Sequence, residues 1–329
     1  MNKEQITKLQ NVIKTINEKI VKARRKYTFW CPKDMDCKHK KQGYTLYAYG
    51  GRVLDLYFLN GVMRYSVWNK DYKSYSEEID QIRDILINKS GTSNERIARL
   101  TSISTEDWEK VLTAFEDWAS FIEDDKKTHF ERMRETAIAN NNQAFTNGII
   151  KIIEIESRNA IGKKPDLIGV RREKDNIILS YIEYKCTTTA MTGTQSPVEH
   201  YKDMRKHYKD RTPAIFESYF ERSCWENTDG TKLDVSLDLK NATKEIVFLF
   251  SHIDDNISNE TQGLTLQDVL TGIKKIQSEM GKSNDNVKIM FISNEFDILK
   301  TDKEHMMSVS EAIKWLEEKE GKSSSNYHG

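Results

Sequence analysis

Apolar residues recur along the chain with two different periods, and each change of period marks a new element. Ile6, Leu9, Ile13, Ile16 and Ile20 fall at steps of three and four, with charged residues opposite, which predicts a first helix. It runs into the basic group Lys22, Arg24, Arg25 and Lys26, where cations suit the negative end of a helix dipole. From Tyr44 to Trp68 the pattern turns to aromatic and β-branched runs, YTLYAYGG, RVLDLYFLNG and VMRYSVW, separated by Gly50-Gly51 and Asn60-Gly61. Asn-Gly between such runs signals a hairpin, so a small three-stranded antiparallel meander is expected. Helical spacing returns at about 76–89, 94–101 and 105–122. The last of these opens on STEDWEK, with Ser104 or Thr105 as a cap and acids in the first turn. A long helical stretch is read over about 126–157.

After Pro165 the period becomes two. KPDLIGVRRE and NIILSYIEYKC read as paired strands joined by the polar turn EKDN. PVEHYKDMRKHYKD is helical at about 198–210. KEIVFLFSHI and NVKIMFIS are short apolar runs that read as buried strands at 245–250 and 287–293. Between them TLQDVLTGIKKIQSEMG has a Thr cap and a Gly stop, which predicts a helix over 265–281. A final helix at about 308–320 precedes the polar tail GKSSSNYHG, expected to be disordered. The organisation expected is an N-terminal α+β region over 1–125, an α/β domain over 126–320 and a tail over 321–329. No internal repeat is visible.

Composition narrows the function classes. Lys+Arg and Asp+Glu both number 51, so a nucleic-acid partner gains no support from net charge and would need a local basic face. Cys31, Cys37, Cys186 and Cys224 are too few for a disulfide scaffold in 329 residues. No apolar run reaches membrane-span length, and MNKEQITKLQ lacks the apolar core of a signal peptide, so a reducing cytoplasm is the expected setting. Cys31, Cys37 and His39 lie in WCPKDMDCKHK, but C-x5-C does not match common zinc spacing, and a lysine-rich loop is expected. Asp254 and Asp255 in HIDDN read as a polar loop. Trp108, Trp118 and Phe121 read as packing residues, and Cys186 as core. No phosphate-binding glycine loop, dinucleotide signature or GxSxG occurs.

One group of residues carries chemistry. Alternation along NIILSYIEYKC puts Leu179, Tyr181, Glu183 and Lys185 on one strand face. A hairpin closed at EKDN brings Asp166, at the start of the partner strand, near the 183–185 end. Two carboxylates there can hold a hard cation such as Mg²⁺, and the Tyr184 carbonyl can add a third oxygen. A neighbouring lysine can orient or deprotonate an attacking water and stabilise the charge of the transition state.

Pro165-Asp166 followed by Glu183-Tyr184-Lys185 resembles the PD-(D/E)XK nuclease superfamily, over roughly residues 130–295. The resemblance implies a restriction-endonuclease-like mixed sheet in the order αβββαβ with helices on both sides, in which the 198–210 helix is an insertion. It implies phosphodiester hydrolysis with Mg²⁺ or Mn²⁺, with Asp166, Glu183 and Lys185 catalytic. Asp166, Glu183 and the Tyr184 carbonyl would hold the metal. The family adds an acid from the helix before the PD strand, here Glu156, with Glu154 and Glu135 as further candidates. Gln195, His200 and Tyr201 are candidates for supporting the site, with an ordinary surface or interface histidine the first reading of His200. DNA rather than RNA is the expected substrate, in restriction or anti-phage defence. The alternatives are a nuclease subunit active only with an ATPase or helicase partner, or an inactive nucleic-acid-binding protein on the same fold. The N-terminal region is expected to bind nucleic acid, a partner protein or a second protomer.

Overall fold

The computed structural model describes residues 3–20, 26–36, 41–67, 86, 90–125, 128–143, 147–155, 165–174, 176–207, 242–253, 263–281, 283 and 285–325. These residues form a mixed α/β protein of seven α-helices and two sheets. The chain divides into two compact units, the first running to Asn141 and the second beginning at Asn142. None of the described helices is long and apolar enough to cross a membrane.

The first unit contains α1 (Lys3–Lys19), β1 (Thr28–Asp36), β2 (Lys41–Ala48), β3 (Gly51–Leu59), β4 (Val62–Val67), α2 (Ser93–Ser102), α3 (Thr105–Asp125) and α4 (Thr128–Asn141). Its antiparallel sheet runs β1-β2-β3-β4, one strand more than expected. The added strand is Thr28–Asp36, where a loop was predicted from WCPKDMDCKHK. Pro32 removes one backbone donor, which an edge strand tolerates, and it pairs with Tyr44 from the edge position. Cys37 and His39 lie outside the described residues. Leu9, Ile16 and Ile20 of the helical stripe, with Val12 in place of the partly buried Ile13, bury against Leu46, Leu54 and Leu56 of the sheet and Trp108, Leu112 and Phe115 of α3. Trp108 is thus core; the side chains of Trp118 and Phe121 lie outside the described set.

The second unit contains β5 (Lys151–Ile155), β6 (Leu167–Glu173), β7 (Asn176–Lys185), α5 (Pro197–His207), β8 (Thr243–Phe250), α6 (Leu266–Met280), β9 (Val287–Phe291), β10 (Met306–Ser308) and α7 (Val309–Ser325). Its six-stranded sheet has the order β10-β9-β8-β7-β6-β5. The β5–β6 and β6–β7 pairs are antiparallel, β7–β8 and β8–β9 parallel, and β9–β10 antiparallel.

The long helix expected over 126–157 is not present. Helix α4 ends at Asn141, and Lys151–Ile155 is a strand with every residue buried. Its Ile-rich sequence satisfies a helical stripe and a two-sided buried strand equally well, so periodicity does not separate them. Pairing with β6 decides it, supported by the β preference of branched side chains. Gly169 permits the close approach: a β-carbon there would lie 2.4 Å from Ile150 Cγ2. With β5 in place, the helix taken for an insertion follows the third strand of the sheet rather than the second.

Helices α5, α6 and α7 pack in succession, α5 on α6 and α6 on α7. Thr265 and Asp268 form the capping box of α6, and Gly281 ends it with φ of 52°. Phe250 stacks on Phe291, and Phe291 on Trp315 of α7, with centroids 6.0 and 4.8 Å apart. Phe250 pairs with Lys185, so this aromatic stack occupies the sheet face that carries Lys185.

Candidate active site

Strands β7, β8 and β9 are parallel, and Lys185, Phe250 and Phe291 end them at one edge. In open sheets of this type, ligand sites form beyond the carboxyl ends of the strands. Glu183 and Lys185 stand at that edge, two residues apart on one face. Lys185 Nζ donates to Glu183 Oε1 at 2.6 Å. Their side chains are 2% and 0% exposed, so the pair is withdrawn from bulk water.

Asp166 joins them through the hairpin register. Leu167 pairs with Ile182, so Asp166, one residue earlier, stands alongside Glu183 at the end of the ladder. Its Oδ2 accepts the Tyr184 backbone N–H at 2.9 Å. The Lys185 carbonyl accepts from Ser251 N–H on the opposite side, toward β8. Polar groups of successive strand residues point to alternate sides, so the Tyr184 carbonyl lies on the Asp166 side. The Tyr184 ring occupies the other sheet face, where its hydroxyl meets Ser251 Oγ at 2.5 Å. Glu183 and Lys185 are buried while Asp166 is half-buried, so the group meets solvent from the Asp166 edge.

Helix α5 supplies a contact that the sequence reading did not assign. Its first helical residue is Pro197, a position that needs no N–H, and the Glu199 and His200 N–H groups are both taken by the Ser196 carbonyl at 3.1 Å. Pro197, His200, Tyr201 and Met204 form its buried face at helical spacing. His200 Nδ1 contacts Glu183 Oε1 directly. Its Nε2 lies 3.2 Å from Oε1 of Gln195, which is exposed. Gln195 therefore reaches Glu183 only through His200. Tyr201 does not: its hydroxyl donates to Asp285 Oδ2 at 2.6 Å and lies 3.3 Å from Ser283 Oγ. Burial and the bond to Asp285 push the Tyr201 phenol above its usual range.

The Glu183 carboxyl is pulled two ways. Burial pushes its pKa up, while the Lys185 ammonium and the His200 contact pull it down, and the pull wins. Glu183 is therefore a carboxylate held ionised in a dry setting. Its second oxygen, Oε2, is buried and has no partner among the described residues. Together with the Asp166 carboxylate and the Tyr184 carbonyl, it makes a set of hard oxygen donors of the kind Mg²⁺ or Mn²⁺ takes. Among the described residues no cluster of three or more His, Cys, Asp or Glu side chains is placed to hold a metal ion.

No protein-family model, curated protein or solved structure matches the chain.

The acids considered for a fourth ligand fall in different places. Glu156 lies outside the described residues, as do Asp254 and Asp255 of the expected polar loop. Glu135 belongs to α4 of the first unit. Glu154 is strand-borne rather than helix-borne. It pairs with Ile168, which pairs with Tyr181, so Glu154 shares the face that carries Glu183. Burial, with a further contribution from the Glu154 charge, pushes the Tyr181 phenol above its usual range. The opposite face holds a different ion pair. Arg171 donates twice to Glu245, at 2.8 Å each, and Ser180 Oγ donates to the same carboxylate at 2.6 Å. Three donors meet this carboxylate, two on Oε1 and one on Oε2, so both of its oxygens are engaged within the protein.

Proposed function

We propose that the chain is a divalent-metal-dependent nuclease of the PD-(D/E)XK type, hydrolysing phosphodiester bonds of DNA. The observation that carries the reading is the convergence of Asp166, the Tyr184 backbone, Glu183 and Lys185 at the carboxyl end of β7. Chain order within the second unit supports it as well: β5, β6 and β7, then α5 and the parallel strand β8, is the βββαβ part of the order implied by the resemblance.

In this reading Asp166, Glu183 Oε2 and the Tyr184 carbonyl hold Mg²⁺ or Mn²⁺. When bound, the cation supplies Lewis-acid stabilisation of charge on the phosphoryl oxygens. Lys185 does the rest of the positioning. Its ammonium, held beside Glu183, is the group that would orient a water or a phosphoryl oxygen. The water oxygen attacks phosphorus, the bond from phosphorus to the leaving sugar oxygen breaks, and the water proton is lost to solvent or a nearby base. The Lys185 charge offsets the negative charge that builds on the phosphoryl oxygens. The Asp166 edge, where the group meets solvent, is where the backbone of the nucleic acid would arrive.

Restriction or anti-phage defence is the setting we propose, by analogy with the habit of the family. The test is incubation of the purified full chain with plasmid DNA in Mg²⁺ or Mn²⁺ and in EDTA. Cleavage that appears with either metal and stops with EDTA is expected. Cleavage that continues in EDTA would overturn the metal-dependent reading.

A further inference from the structure

Two nitrogens from different elements meet one oxygen of Glu183 and leave the other alone. Lys185 Nζ, on the same strand, lies 2.6 Å from Oε1, and His200 Nδ1, from α5, contacts that same Oε1. Oε2 is buried with no partner among the described residues. The Lys185 hydrogen bond and the His200 contact therefore both fall on the Oε1 side of the carboxylate.

The two contacts do different work. With Lys185 alone, a half-turn of the carboxylate about its last bond would exchange Oε1 for Oε2 at almost no cost, because the lysine stem follows either oxygen. A second contact, from a rigid ring, removes that freedom. His200 is well suited to it: the ring is rigid, it is 6% exposed, and it sits on the buried face of a helix. Its far nitrogen is steadied by Gln195 at 3.2 Å.

We propose that His200 is a positioning residue for the divalent cation: it locks the Glu183 carboxylate so that Oε2 alone is presented, making Glu183 a one-oxygen ligand. The proposal rests on the metal-site reading above. One-oxygen ligation suits a small octahedral cation that keeps several of its waters. It also gives Gln195 a role, as the exposed residue that holds His200 in register. The sequence signal was present: His200 follows Pro197 by three residues and precedes Met204 by four, on the face that α5 turns to β7.

The test is direct binding of Mn²⁺ to the full-length protein without DNA, read from the loss of the free aquo-Mn²⁺ electron paramagnetic resonance signal. Wild type, His200→Ala, His200→Asn and Gln195→Ala are compared, with melting temperature recorded for each. Asn places an amide N–H where the imidazole has Nδ1. The expected result is a Kd raised about 10- to 100-fold in His200→Ala, the range seen when partners of metal ligands are removed. His200→Asn should recover most of that affinity, and Gln195→Ala should show a smaller loss. Equal Kd in wild type and His200→Ala would overturn the inference while leaving the metal site standing. So would equal losses in His200→Ala and His200→Asn, since these would report packing rather than the Nδ1 contact. Absence of Mn²⁺ binding by the wild type would overturn the metal-site reading itself.

Discussion

Lys185 and Glu183 lie two residues apart on one strand face, and the ammonium of the first donates to the carboxylate of the second at 2.6 Å with both shielded from water. A buried pair of this kind is costly to break by one partner, because the other is then left charged and dry. Lys185→Met is expected to lower stability by about 3–5 kcal/mol. The double variant Glu183→Gln with Lys185→Met should recover part of that loss, and urea unfolding of the two measures the difference.

The same pair makes stability depend on pH with a definite sign. Burial opposes ionisation of Glu183, but Lys185 and His200 outweigh it, so the folded carboxyl titrates below 4.5. A depressed carboxylate stabilises the fold fully above 4.5 and loses that contribution as pH falls through the folded value. Thermal melts in metal-free buffer should therefore show an acid-side loss in wild type that is reduced in Glu183→Gln. Parallel profiles for the two proteins would contradict the assignment.

Arg171 and Glu245 form an equally buried ion pair on the other face of the same sheet, bonded twice and joined by Ser180. Here the partners satisfy one another, so a purely structural effect is expected. Glu245→Gln should lower stability by about 3–5 kcal/mol and leave the cleavage rate per folded molecule unchanged. A fall in that rate at full folding would show that the pair reaches the chemistry.

Tyr201 and His200 are neighbours in sequence with different contacts. Tyr201→Phe removes the donor to Asp285, which keeps its contact with Arg205 Nε at 3.1 Å, and should destabilise by about 0.5–1.5 kcal/mol, the net worth of one hydrogen bond. Mn²⁺ affinity should not move. If it does move, the supporting role expected for Tyr201 from the sequence extends to the metal after all.

What could be read from the sequence follows from which signals are local. The hairpin of β6 and β7 was legible because alternation and the EKDN turn are local, and so was the shared face of Glu183 and Lys185. The helix α6 was legible from Thr265 and Gly281 at its ends. Strand β5 was not, because an isoleucine run that is buried on both sides carries no period of its own. The edge strand β1 was hidden by Pro32, which reads as a loop until the edge position is known. His200 was read first as a surface histidine because its partner is distant: only the packing of α5 on β7 turns a histidine at helical spacing into a contact with Glu183. Gln195 and Tyr201 were singled out together, yet the structure sends one toward Glu183 through His200 and the other to Asp285.

The measurement that bears most directly on the central claim is the initial rate of plasmid cleavage in saturating Mg²⁺ by wild type and by Lys185→Ala, both confirmed folded. If Lys185 acts on the reacting phosphate, the variant should be slower by at least about 100-fold, the scale of losing one preorganised transition-state donor. Equal rates in the two proteins would contradict the assignment of Lys185, and with it the site at the end of β7.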